Sequence, residues 1–276
     1  VEAEVSDAGV VAAVNRPMAL WKARSVLGLL VRRDLKVRYA DSLLGYFWSI
    51  LDPLLMAAVY WFVFTKIFPR SVGEEPYIIF LLAALLPWTW FQNCVGDSAN
   101  SLQHDSRLVR STRLPREVWP LRVVLSKTVE FGFSMPVLAV FLLIFRPEIN
   151  GHIWLFPVAI VMQLVLLSGV GLLLAPLQVL LRDIEPLIRV AMRVLFYASP
   201  VLYGIQDVYN AGIPQVLKTL YLLNPMSGII TAFRAGFFPD AVHWDAIAIA
   251  GGVSVFTLVL GWIVFARTER SMLKEL

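Results

Sequence analysis

The side chains able to do chemistry are thinly spread along these 276 residues, and few stand at spacings that a reaction needs. No G-x-x-x-x-G-K-[ST] run is present, so the chain has no loop of its own to cradle nucleotide phosphates. Leu167-Ser168-Gly169-Val170-Gly171 is like half of an ATPase signature loop, but it lies inside an apolar run, where small residues serve close helix packing. Carboxylates that would hold a divalent metal for transfer chemistry come only as isolated pairs, Glu74 with Glu75 and Asp183 with Glu185. His104, His152 and His243 keep no metal-ligand spacing, and a single cysteine, Cys94, allows neither an internal disulfide nor a cysteine zinc cluster. The G-x-S-x-G elbow is absent too. We therefore expect no catalytic residue, no metal and no cofactor bound by this chain.

Other residues stand out by where they lie. Asp52, directly before Pro53, and Glu130 fall inside apolar runs, where ionisable groups are costly and usually paired or functional. Glu130 belongs to a stripe Arg122, Ser126, Glu130, Ser134 at four-residue spacing, with Lys127 one turn away, so a buried pair with Lys127 or Arg122 is expected. A proton relay would want further acids, and the apolar runs at 153–181 and 187–204 hold none. Tyr60, Phe64 and Phe68 share one helical face, as do Phe196 and Tyr203 on either side of Pro200. Rings in such stripes can bind the apolar C–H faces of sugars without one fixed hydrogen-bond pattern. They can equally pack helices or mark a membrane interface.

Composition says which elements hold these residues. The chain is 58% hydrophobic and 16% charged with mean hydropathy +0.71, against about 45–50% and about 25% for soluble domains. One soluble core stops growing near roughly 250–300 residues, so the bilayer must solvate most of this surface. The sequence predicts an all-α integral membrane protein. Apolar runs long enough to span, about 20 residues, lie near 44–68, 77–100, 119–145, 153–181, 187–204 and 244–266. Two shorter runs split by Asn224-Pro225 suit a re-entrant hairpin within about 205–240, between spans five and six. A tail over 1–16, unlike a signal peptide, and a cytoplasmic interfacial helix over 17–40 precede the six-span body at 41–276. In that helix Lys22, Arg32, Arg33 and Lys36 fall within an arc of about 100°, opposite Leu20, Leu27, Val31 and Leu35. A solvated basic arm is the alternative.

Basic residues set the orientation. Of the 24 Lys and Arg, 19 fall in the N-terminal region, the 101–127 connection, 182–193 and the tail, which six spans place on one side. Both termini are therefore expected in the cytoplasm. The net charge of +4 and pI near 9.3 describe a basic membrane rim and not a nucleic-acid surface.

Read in order, these residues match a known family. Arg33-Asp34-Leu35-Lys36-Val37-Arg38-Tyr39, then Ser42, Leu43-Leu44-Gly45, Trp48 and Asp52-Pro53-Leu54, resembles the entry to the first span of type-2 ABC transporter permeases. Leu86-Pro87-Trp88, Leu114-Pro115-Arg116-Glu117, Arg182-Asp183-Ile184, Tyr197-Ala198-Ser199-Pro200 and Leu223-Asn224-Pro225-Met226 resemble later landmarks, and the match runs over about 30–238. It is most similar to the branch exporting O-antigens, teichoic acids and cell-wall galactan. The resemblance implies a bacterial plasma-membrane homodimer of six-span subunits working with two separate ATPase chains that hold ATP and Mg. Its implied substrate is a lipid-linked polysaccharide. A drug or small-lipid exporter of the same superfamily is the nearer alternative, and a membrane glycosyltransferase or phosphoglycosyltransferase the more distant one.

Three sets of residues are then expected to act. Coupling to the ATPase falls to Arg33, Asp34, His104, Asp105, Leu108, Arg110, Arg113, Arg116, Arg182 and Asp183, charged ends and short helices suited to a partner's groove. Asp52, Tyr60, Phe64, Phe196 and Tyr203 line the conduit, since the family builds its pathway from spans one and five. Asn224, Pro225, Gly228, Ala232, Arg234 and Gly236 are expected to form an external gate, with small residues every four positions and Arg234 able to lie near lipid or substrate phosphate; a purely structural cap is the alternative.

Overall fold

The computed structural model describes residues 18–39, 47–67, 74–112, 114–181, 183–212 and 214–276. The expected tail at 1–16, Phe68, Arg113 and Arg182 lie outside them, as does the side chain of Asp52. Among the described residues every regular element is helical.

A helix over Arg24–Tyr39 (α1), already helical at 18–22, precedes Trp48–Phe62 (α2), which runs on as a π-helical turn Val63–Ile67. Tyr77–Ala99 (α3) leads through two short helices, Ser101–His104 (α4) and Ser106–Ser111 (α5), to Val118–Phe145 (α6). After a 3-10 turn at Gly151–Trp154 come Leu155–Leu180 (α7) and Ile184–Tyr197 (α8). Ile205–Asn210 (α9), Gln215–Leu222 (α10) and Pro225–Arg234 (α11) then lead to Trp244–Glu275 (α12).

Among the described residues four stretches are long and apolar enough to cross a membrane: α3, α6, α7 with its preceding turn, and α12. Their 23 to 32 residues, at 1.5 Å each, exceed the roughly 30 Å of hydrocarbon. Helix α3 is the axis of the bundle, packed by α2, α6, α7, α8 and α11. Of its most apolar window 83% is buried, against 22% for α6 and α12, whose outer faces are left to lipid.

Helices α7 and α12 make the closest pairing because glycines remove the side chains between them. A Cβ on Gly169 would sit 2.5 Å from the Leu258 amide nitrogen, and one on Gly261 2.2 Å from the Gly169 carbonyl oxygen. The small residues around Gly169 are thus packing positions, as the sequence suggested. Buried Gln163 on α7 donates through Nε2 to the Pro87 carbonyl of α3 at 2.7 Å.

Two expected elements take a different form. The run at 187–204 is helical from Ile184 to Tyr197 and then turns. Its 14 helical residues rise about 21 Å, too little to cross alone. Pro200 lacks an N–H and biases Ser199 away from helical backbone. The run around 214–238 forms α10 and α11, bent 71° apart. Asn224 caps α11 by accepting from the Met226 amide, and Pro225 takes the first helical position.

Candidate functional site

Helices α2, α3 and α8 line an open cleft of about 620 Å³. The sequence fixes who faces it, because residues spaced three or four apart share a helical face. Helix α3 contributes Trp88, Thr89, Gln92, Asn93 and Asp97; α8 contributes Arg189, Arg193, Phe196 and Tyr197; α2 contributes Tyr60. One end is aromatic. Tyr60 stacks on Phe196 with ring centroids 6.2 Å apart, and Trp88 meets Phe196 edge-on at 5.5 Å. Trp88 also donates through Nε1 to Gln92 at 3.1 Å, which holds its indole against the wall. The other end is polar and carries Asp97, Arg189 and Arg193.

Of the expected conduit residues, Tyr60 and Phe196 line this cleft. Phe64 stands one turn beyond, between Tyr60 and Tyr77. Tyr203 is not among the lining residues; its hydroxyl donates to the Tyr197 carbonyl at 2.8 Å, and its ring lies beside Tyr221. Sequence reasoning missed Trp88, Gln92, Arg189 and Arg193. Their signal was a polar face, Thr89, Gln92 and Asn93, inside an otherwise apolar span.

Near the ends of α3 and α6, a charge network binds α1 to the bundle. Asp105 accepts from Arg33 Nη2 at 3.1 Å and from Arg122, whose Nε lies 3.0 Å from Asp34. Arg38 meets Glu130 at 2.9 Å and Asp97 at 3.4 Å; Lys127 meets the same two acids at 3.3 and 2.7 Å. The expected Lys127–Glu130 pair is present, while Arg122 turns instead to Asp34 and Asp105. Burial raises the Asp105 carboxyl, but the Arg122 charge and hydrogen bonds from Arg122 and Arg33 outweigh it and hold its pKa below the ordinary value. For Asp34 burial prevails over Arg122 and Arg33, and its pKa is raised.

This network divides the expected coupling residues. Arg33, Asp34 and Asp105 are engaged within the chain. Arg116 donates to the Thr112 and Leu114 carbonyls and so holds the turn after α5. His104, Leu108, Arg110 and Asp183 are exposed and available to a partner.

Two of the expected gate residues, Asn224 and Arg234, donate to backbone carbonyls within the chain. Every carbonyl from Tyr197 to Tyr203, where α8 unravels, has a donor. Tyr203 serves Tyr197, Asn224 Nδ2 serves Ala198 at 2.9 Å, and the Val201 amide serves Ser199. Arg234 donates to Pro200, Val201 and Tyr203, and the Tyr77 hydroxyl to Leu202. The fourth Arg234 bond reaches Phe80 of α3 at 3.0 Å, and its guanidinium lies 3.4 Å over the Phe80 ring. At 2% exposed, Arg234 is directed at backbone carbonyls and not at lipid or substrate phosphate. The small face packs within the chain as well. A Cβ on Gly228 would lie 2.1 Å from the Ala246 carbonyl, one on Gly236 2.7 Å from Ile153 Cα, and Ala232 is fully buried.

An apolar helical bundle with several span-length helices, a cleft beside its central helix and a basic helix held against it has the architecture of a membrane protein. The ABC-2 type transporter family matches residues 25–238, and the chain belongs to that family. It is 29% identical over 246 residues to the O-antigen export system permease protein RfbA of Klebsiella pneumoniae, covering 88% of this chain and 92% of that one. It is 31% identical to the protein of the same name from Myxococcus xanthus, covering 83% and 88%. The capsule polysaccharide export inner-membrane protein CtrC of Neisseria meningitidis is 24% identical over 90% and 93%.

Proposed function

We propose that this chain is the membrane subunit of an ATP-driven exporter that moves a lipid-linked polysaccharide outward across the bacterial plasma membrane. The observation that carries the reading is the cleft between α2, α3 and α8. Stacked rings at one end suit the apolar faces of sugars, and a polar, cationic mouth suits the charged part of an amphiphile. The names of the relatives, which export O-antigen and capsule polysaccharide, support the same substrate class.

On this reading two copies pair with two ATPase chains, whose ATP and Mg complement a permease without a P-loop. His104, Leu108, Arg110 and Asp183 make the coupling contact, with Arg113 and Arg182 nearby in sequence. Helix α2 and the α8–α11 region complete six crossings, and both termini face the cytoplasm.

The test is export by the reconstituted complex. Alanine at Tyr60 and Phe196 together should lower polymer export at least fivefold while membrane content and basal ATP hydrolysis stay within twofold. Export falling only in proportion to protein content would make the rings packing. Sugar transfer by the chain alone would replace the exporter with a glycosyltransferase.

A further inference from the structure

A second cleft, of about 660 Å³, lies between α1 and α6. It does not need the polysaccharide reading. Its floor is the charge network, and the hydrogen-bond count there is lopsided. Both carboxylate oxygens of Asp34, Asp105 and Glu130 already face a cation, and half-exposed Asp97, also in the lining, meets Arg38 and Lys127 through Oδ2. The donors are not exhausted. Arg122 Nη1 and Ser126 Oγ are buried without a hydrogen-bond partner, although Arg122 is only 3% exposed and Ser126 4%. Lys127 carries three N–H donors, and two of its acceptors are identified, on Asp97 and Glu130. A buried guanidinium edge with no acceptor is costly. The chamber calls for an acceptor-only group.

Position narrows the class. Arg122 stands four residues into α6, about 6 Å along its axis, and Asn100 and Ser101 on the rim follow the last residue of α3. A 28-residue helix is about 42 Å long, about 12 Å more than the hydrocarbon core, so a site about 6 Å from its end corresponds to headgroup level. The lining is also amphiphilic: Val37, 70% exposed on α1, stands at the edge of the same chamber.

We propose that this chamber binds the phosphate of an anionic membrane lipid, with Arg122 Nη1 and Ser126 as its inner donors, Lys127 beside them and Val37 against the chain. Phosphate offers several acceptor oxygens and no obligatory donor, so Arg122 Nη1 and Ser126 Oγ can each find an acceptor on it.

The test uses the full chain in phosphatidylcholine nanodiscs. Native mass spectrometry counts retained phosphatidic acid in one arm and polyprenyl diphosphate in a second, and inorganic pyrophosphate serves as the lipid-free third. One lipid should be retained per chain, with apparent affinity at least tenfold lower in R122Q and in S126L. The leucine fills the chamber and leaves every ion pair in place. Tighter retention of polyprenyl diphosphate assigns the site to a carrier lipid, and tighter retention of phosphatidic acid assigns it to bulk lipid; either supports the proposal. It is overturned if neither variant changes retention, since the orphaned donors then belong to water, or if pyrophosphate alone competes fully. A loss in R122Q that S126L does not share would trace to broken ion pairs and would also overturn it.

Discussion

Replacing Arg234 with methionine removes the donors for four carbonyls, those of Phe80, Pro200, Val201 and Tyr203. Hydrogen bonds to a charged group contribute about 1.5–3 kcal/mol each, so the gross loss is about 6–12 kcal/mol. Burying the guanidinium without a carboxylate partner costs several kcal/mol in the wild type, which offsets part of that loss. Methionine also fills much of the volume. The net destabilisation should be about 3–5 kcal/mol, because four carbonyls are left without donors where water is excluded. At about 2–4 °C per kcal/mol, the thermal midpoint of the purified chain in lipid nanodiscs should fall by on the order of 10 °C. R234K should recover little, since a single ammonium cannot reach Phe80 on α3 and Val201 beyond α8 as a planar fork does. Midpoints within 2 °C of wild type in both variants would refute this role for Arg234.

Other consequences follow from the same geometry. G169V drives a side chain into the Leu258 backbone and should lower the midpoint by at least as much as R234M; a shift below 2 °C would mean that α7 and α12 do not touch there. Q163L loses the bond to Pro87 and should cost about 0.5–1.5 kcal/mol in the same melt. R110E lies on an exposed site, so stability should stay within about 0.5 kcal/mol while substrate-stimulated ATP hydrolysis falls at least fivefold; undiminished hydrolysis removes Arg110 from the coupling contact. The lowered pKa of Asp105 makes its stabilisation fully present above the ordinary carboxylate value and lost as pH falls through the lowered folded one. Asp34, raised by burial, has the opposite sign, its contribution declining as pH rises through the raised value. Comparing wild type with D105N between pH 3 and 6 should therefore show their difference shrink on acidification, and a constant difference would contradict the assignment.

Much of this protein is written in one dimension. Span-length apolar runs announce a membrane protein because length and hydropathy are local properties, and three of the expected spans coincide with α3, α6 and α7 to within a few residues. Tyr60 and Phe196 were legible as helical stripes, and Asn224-Pro225 as a helix start. The partners of the charges were not, because burial depends on which helices meet. Arg122 and Glu130 share a stripe at four-residue spacing, yet Arg122 turns to Asp34 and Asp105 while Glu130 takes Arg38 from α1 together with Lys127. Arg234 read as a gate cation facing phosphate, since a lone arginine in an apolar run suggests a functional charge. The folded chain ends α8 at Tyr197, ahead of Pro200, and leaves a row of carbonyls, of which those of Pro200, Val201 and Tyr203 are met by an arginine 34 residues later than Pro200. Sequence shows where a backbone must break, and only the tertiary structure decides which distant side chain meets the break.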